Sequence, residues 1–202
     1  MSDAALMTAL RIKGFAKAEA LAETLGLDAD AVALCLSDLA EQGYVSETRI
    51  GAKLTPKGQG RADSLTAEER ASVPALDWDA LYDEFHHLNG PFKQTIADWQ
   101  IRDGAPNDHT DAAYDDTIRA RIDETHTGIG PVLEKLGAKL PRLSRYADRF
   151  ETAIAAVRAG ENRMVAAPII DSYHTVWFEL HEDLIRLSGR TRAEEALAGR
   201  AV

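Results

Sequence analysis

With 202 residues, 45% of them hydrophobic and 28% charged, the chain has the composition of an ordinary folded protein made of two small domains or one elongated one. Its net charge of −10 is shared: residues 1–70 hold 8 bases and 11 acids and residues 71–202 hold 15 and 22, so neither half is a basic nucleic-acid domain overall. No segment approaches the roughly 18 uncharged apolar residues of a membrane span. The start, Met1-Ser-Asp-Ala-Ala-Leu-Met7, has no basic leader region, and the single cysteine, Cys35, excludes an intramolecular disulfide. Together these lead us to expect a cytoplasmic protein with no membrane partner.

Residues 15–61 read as two short helices, a tight turn and a strand. The first helix starts near Lys17 and closes at Gly26-Leu27; the second runs from Asp28 to Gln42, and an extended Tyr44-Val-Ser-Glu-Thr48 follows Gly43. Asp28 can accept backbone N–H groups at the start of the second helix, and Gly43 can take the left-handed conformation that ends it. Helical spacing turns Val32, Leu36 and Leu39 to a core and leaves Asp30, Ala33, Leu34, Ser37, Asp38 and Glu41 outside. From Thr48 to Ala62 there are four bases, Arg49, Lys53, Lys57 and Arg61, and no acid, which reads as a basic β-wing ending in a Leu54-Thr-Pro-Lys-Gly58 turn. Cys35 sits beside the core positions and reads as a small packed hydrophobe.

The run Leu25-Gly-Leu27, Val32, Leu36-Ser-Asp-Leu-Ala-Glu-Gln-Gly-Tyr-Val45 and then Leu54-Thr-Pro-Lys-Gly58 resembles the winged-helix module of bacterial regulators of the MarR and PadR kind. The resemblance covers about the first third of the chain. It implies a winged helix-turn-helix whose second helix enters the DNA major groove. The candidate DNA contacts are then Arg49, Lys53 and Lys57 of the wing and Ser37 of the helix. None of the outward residues of that helix is basic, and acids near phosphates oppose the counterion release that drives DNA binding.

Residues 62–76 read as the end of the module and a short connector, part of it helical behind a capping box at Thr66 and Glu69. No strand is expected beyond them. Four long helical patterns follow, at about 77–103, 110–136, 143–158 and 163–187, with a final amphipathic turn at 192–200. The fourth, with Val165, Ile169, Tyr173, Val176, Leu180, Leu184 and Leu187 on one face and Trp177 and Phe178 on others, reads as the central helix of a bundle or as a dimer seam. Prolines inside three patterns, Pro91, Pro131 and Pro168, suggest kinks, or the starts of new, shorter helices. The third pattern carries a basic edge of Arg142, Arg145 and Arg149.

Four of the six histidines follow an acid by three residues: Asp83/His86, Glu84/His87, Asp123/His126 and Asp171/His174. His181 shares a helical face with His174. Such side chains project together on bundle helices, which makes Asp83, His87, His126, His174 and His181 a candidate site for a divalent metal such as Zn, Ni or Mn. Histidines bonded to their own helical neighbours are the alternative. The segments Tyr82-Asp-Glu-Phe-His-His-Leu88 and His181-Glu-Asp-Leu-Ile-Arg-Leu187 with Ala193-Glu-Glu-Ala-Leu197 also resemble, in part, the helical effector domain of GntR-type regulators, which implies metal binding through one Asp and three His. Tyr173, Trp177, Phe92 and Trp99 are the candidate lining of a small-molecule pocket. No sequence signature of a catalytic site is present: no phosphate-binding glycine loop, nucleophile elbow, H-E-x-x-H or C-x-x-C.

The expected fold is therefore mainly α: a winged helix-turn-helix over residues 1–70 followed by an antiparallel all-α helical bundle over 71–202 for ligand binding or dimerisation. The expected function is a bacterial transcriptional regulator that binds DNA as a homodimer and senses a small-molecule or metal effector. A winged helix kept as a protein-interaction or accessory module is the second reading, and a small helical-bundle enzyme the third.

Overall fold

A computed structural model describes residues 3–197, and over these the protein is mainly helical. By contact, the chain divides into two units: one runs to Leu76 and resumes at Glu179, and the other is Asp77–Phe178. The C-terminal segment thus belongs with the N-terminal helices, an assignment that no local pattern signals.

The first unit opens with α1 (Asp3–Lys13), α2 (Ala18–Leu25) and α3 (Ala29–Glu41), followed by the hairpin β1 (Val45–Thr48) and β2 (Gly51–Leu54) and by α4 (Pro56–Ser72). The Asp28 side chain accepts from the Ala31 N–H at 3.0 Å, and Gly43, at φ +76°, ends the helix as expected. Ala16, between α1 and α2, forms an isolated antiparallel bridge with Ala52 through two backbone bonds of 3.0 and 2.8 Å, which ties this segment to the hairpin. Leu6, Leu10, Leu21, Val32, Leu36, Leu39, Val45 and Leu54 form the core.

The segment after the hairpin is helical as expected in part, but its helix starts earlier, within the stretch read as the Leu54–Gly58 turn. Thr55 caps α4, its Oγ accepting from the Gly58 N–H at 3.1 Å, and Pro56 takes the first helical position, where its missing N–H costs nothing. Thr66 lies inside that helix and donates to the Ala62 carbonyl at 3.1 Å, so the capping box does not form. A Cβ added at Gly58 would collide with the Tyr44 carbonyl, and only glycine lets α4 start this close to the hairpin.

The second unit holds α5 (Trp78–Gln100), α6 (Ala112–Lys139), a 3-10 turn (Pro141–Leu143), α7 (Ser144–Arg158) and α8 (Arg163–Ala166). α6 packs on both α5 and α7. Between α5 and α6 lies a hairpin that the sequence reading lacks, β3 (Ile101–Arg102) and β4 (Ala105–Pro106), turned by Asp103 and Gly104 at φ +53° and +80°. Asp-Gly is the preferred pair for such a turn.

Pro91 and Pro131 sit inside continuous helices, because the buried faces around them, such as Phe85, Asn89, Phe92 and Ile96, offset one lost hydrogen bond. Pro168 does break its pattern. Ala167, just before it, is extended at ψ 133°, so the expected 163–187 helix becomes α8 and α9 (Tyr173–Leu187). α10 (Arg192–Leu197) follows, and the rest of the expected last turn lies outside the described residues. α9 is buried over most of its circumference within the chain, so the apolar surface that suggested a dimer seam is already covered.

Candidate functional sites

The outward face of α3 carries Asp30, Ala33, Leu34, Ser37, Asp38 and Glu41, all exposed, while Val32, Leu36 and Leu39 are buried. The hydroxyl of Ser37 donates to Glu47 of β1 at 3.3 Å. Of the basic residues assigned to the wing, Arg49 and Lys53 are exposed on the hairpin, but Lys57 and Arg61 belong to α4. The ammonium of Lys57 donates to the Gln42 carbonyl at 2.7 Å and sits 4.4 Å from the Tyr44 ring centre, so it caps the end of α3. Arg61 pairs with Glu68 at 2.8 Å. The basic wing shrinks to two residues. Cys35 is half-buried beside Asp3, and burial together with that carboxylate pushes its thiol up from the ordinary range.

The residues expected to hold a metal are not brought together. Among the described residues no group of three or more His, Cys, Asp or Glu is placed to hold an ion. His181 is buried in the first unit, whereas Asp83, His87, His126 and His174 belong to the second. In three of the four expected acid-x-x-His pairs a base from another helix binds the acid. Glu84 binds Lys135 at 2.7 Å, Asp123 binds Arg158 at 2.5 Å, and Asp171 holds Arg149 through two bonds of 2.6 and 2.9 Å. A charge-assisted pair with Arg or Lys outcompetes a neutral imidazole for the same carboxylate. His87 instead bonds the Asp83 carbonyl at 2.7 Å, as in the alternative reading, and His126 faces Glu151 at 3.2 Å.

Burial pushes the His174 imidazole down from its ordinary range. The unfolded chain therefore takes up a proton at this position before the folded one does. Stability should be fully present above about pH 6.5 and fall as the pH drops below it, levelling off once the folded form also protonates. Urea melts at pH 7.5 and 5.5 should show this loss in the wild type and a smaller one in His174→Gln.

The aromatic residues expected to line a pocket form a core instead. Phe92, Tyr173 and Trp177 are each at most 2% exposed and pack on one another and on Phe150, with Phe92 and Trp177 ring centres 4.3 Å apart. The indole N–H of Trp177 donates to Asn89 at 2.9 Å inside this core. Trp99 packs at a tilt against His109, with ring centres 4.3 Å apart. A cavity of about 450 Å³ lies elsewhere in the same unit, beside His126 and Glu151, where Gly130, Gly137, Ser144 and Ala147 leave room between α6 and α7. Small residues made this hollow; an aromatic search passes over it.

His109 was also missed. At φ +56° it turns back on Asp115, which is 2% exposed, and its Nδ1–H donates to that carboxylate at 3.0 Å. The side-chain amide of Asn107 donates to the same carboxylate at 3.0 Å and to the Trp99 carbonyl at 3.1 Å. This network ties the 101–109 segment to the start of α6. No local spacing encodes it.

Compared with family models, curated proteins and solved structures, the chain matches none.

Proposed function

We propose that α1 to α4 with their hairpin form a winged helix-turn-helix, and that this module docks a protein with a basic surface, making the chain a regulatory or accessory subunit. The observation that carries this reading is the exposed face of α3, with Asp30, Asp38 and Glu41 and no base. At Leu34, 67% exposed, and at Ile50 on the hairpin tip, 63% exposed, the same module offers apolar contacts of the kind protein interfaces use. A duplex would meet three carboxylates where phosphates need cations. The Ala16–Ala52 bridge supports the module itself, since it ties the segment between α1 and α2 to the hairpin that would form the wing.

A photo-crosslinking residue at Ala33 should capture a partner in cells, and Asp38→Lys with Glu41→Lys should abolish the capture. The same probe at Arg61 serves as the control. Failure to capture at Ala33 would remove the docking reading.

A DNA-binding regulator is the second reading, favoured by exposed Arg49 and Lys53. In gel shifts at about 50 mM salt the wild type should leave duplex DNA unshifted, and Asp30→Lys/Asp38→Lys/Glu41→Lys should bind it. A wild-type shift whose salt slope falls by about 2 in Arg49→Ala/Lys53→Ala would instead establish the regulator.

A further inference from the structure

The first unit contains a cavity of about 480 Å³ between α1, α4 and the stretch from Glu182 to Arg192. Five arginines line it: Arg11, Arg70, Arg186, Arg190 and Arg192. The lining acids are Asp63 and Glu182. Asp63 is shared by Arg11 at 3.0 Å and Arg186 at 3.1 Å, while Glu182 is shared by Arg192 and Arg186. Buried Glu195 pairs with Arg190 at 3.6 Å. With Glu195 and also Asp183, whose charge acts on Arg186, counted beside the two lining acids, the five arginines still outnumber the four acids by one, in a protein whose net charge is −10.

Two donors have no acceptor. The side chain of Arg70, an exposed residue at the edge of the cavity, makes no hydrogen bond or ion pair among the described residues and lies against the backbone of Gly189, which is left-handed at φ +75° and has no Cβ to displace it. The Nε–H of Arg186 is buried without a partner. Burial, and then the nearby Arg11 charge, push the Arg186 guanidinium down from its ordinary range, so this group lacks full compensation from its acids. A buried donor such as the Arg186 Nε–H is normally satisfied in native proteins. Guanidinium forks match the paired oxygens of both carboxylates and phosphoryl groups, and a phosphoryl group brings up to about two charges where a carboxylate brings one.

We propose that this cavity binds a small phosphorylated molecule carrying at least two negative charges. The volume falls within the range of small-molecule sites. One phosphoryl group would accept from Arg70 and from the Arg186 Nε–H, and a second would draw on Arg190 and Arg192. Nothing in this site depends on what the α3 face docks, so the two readings stand or fall separately.

Isothermal titration of the full chain with pyrophosphate tests it, with citrate and sulfate at equal ionic strength as comparisons. Saturable binding of pyrophosphate with a rise in Tm is expected, with citrate and sulfate much weaker. Arg70→Ala should weaken binding by at least about tenfold, the worth of one charge-assisted hydrogen bond, and leave the ligand-free Tm unchanged. Arg61→Ala removes the same charge from the same helix outside the cavity and should bind as the wild type does. Equal loss in both variants would reduce the effect to general charge attraction and overturn the proposal. Citrate binding as tightly as pyrophosphate would overturn the phosphoryl class, and absence of saturable pyrophosphate binding would overturn the site.

Discussion

Phe92→Ala is expected to destabilise the protein by about 3–5 kcal/mol, the usual cost of truncating a fully buried aromatic residue. Phe92 is 1% exposed and touches the rings of Tyr173, His174 and Trp177. Truncation loses its transfer free energy and also leaves a cavity that the Trp177–Asn89 hydrogen bond resists filling, because the indole is held in place. A urea melt followed by circular dichroism measures the loss as a fall in the transition midpoint at constant slope. A wall residue of a ligand pocket would behave differently, costing under about 1 kcal/mol of stability, since such a site is already open to water. The measurement therefore separates a packed core from a binding pocket at these aromatics.

Asp115→Ala should cost about 2–4 kcal/mol, because it strips a buried acceptor from two donors, Asn107 and His109, that converge on it. Asp115→Asn keeps one acceptor oxygen and should cost less. Hydrogen exchange gives the local readout. In Asp115→Ala, amides of the 101–109 segment should lose most of their protection, while those of α7 should exchange faster only by as much as global stability falls. Unchanged protection across that segment would mean that the β3–β4 hairpin is held by its own turn and not by the carboxylate.

The recognition of α3 from sequence worked at the level of single residues. Its cap, its left-handed exit, its buried triplet and its outward acids all occupy the expected places. Each of these depends on neighbours within one or two turns, where helical periodicity and capping chemistry operate. The same holds for the starts of α5 and α7 and for the break before Pro168. The Asp103-Gly104 turn is equally local but was not read, because two-residue strands are too short for alternation to mark them.

The misread features share a different cause. Lys57 looked like a wing residue until the α4 cap at Thr55 turned it back onto the Gln42 carbonyl. The acid-x-x-His spacing was real, yet Lys135, Arg149 and Arg158 reach those acids from other helices. Periodicity identified Phe92, Tyr173 and Trp177 as apolar-face residues without telling a solid core from a hollow one. That distinction rests on which side chains meet across helices, and small residues such as Gly130 and Gly137 opened the cavity instead.

The arginine cavity is the clearest case of long-range determination. Arg11, Arg70 and Arg186 lie far apart in the chain, and each alone reads as a solvated helix residue. Chain order carries the information that makes helices, caps and turns, since those depend on contacts a few residues apart. Which charges face one another, and whether acids or an external anion must balance them, is decided only when segments distant in sequence pack together, because electrostatic pairing acts through space.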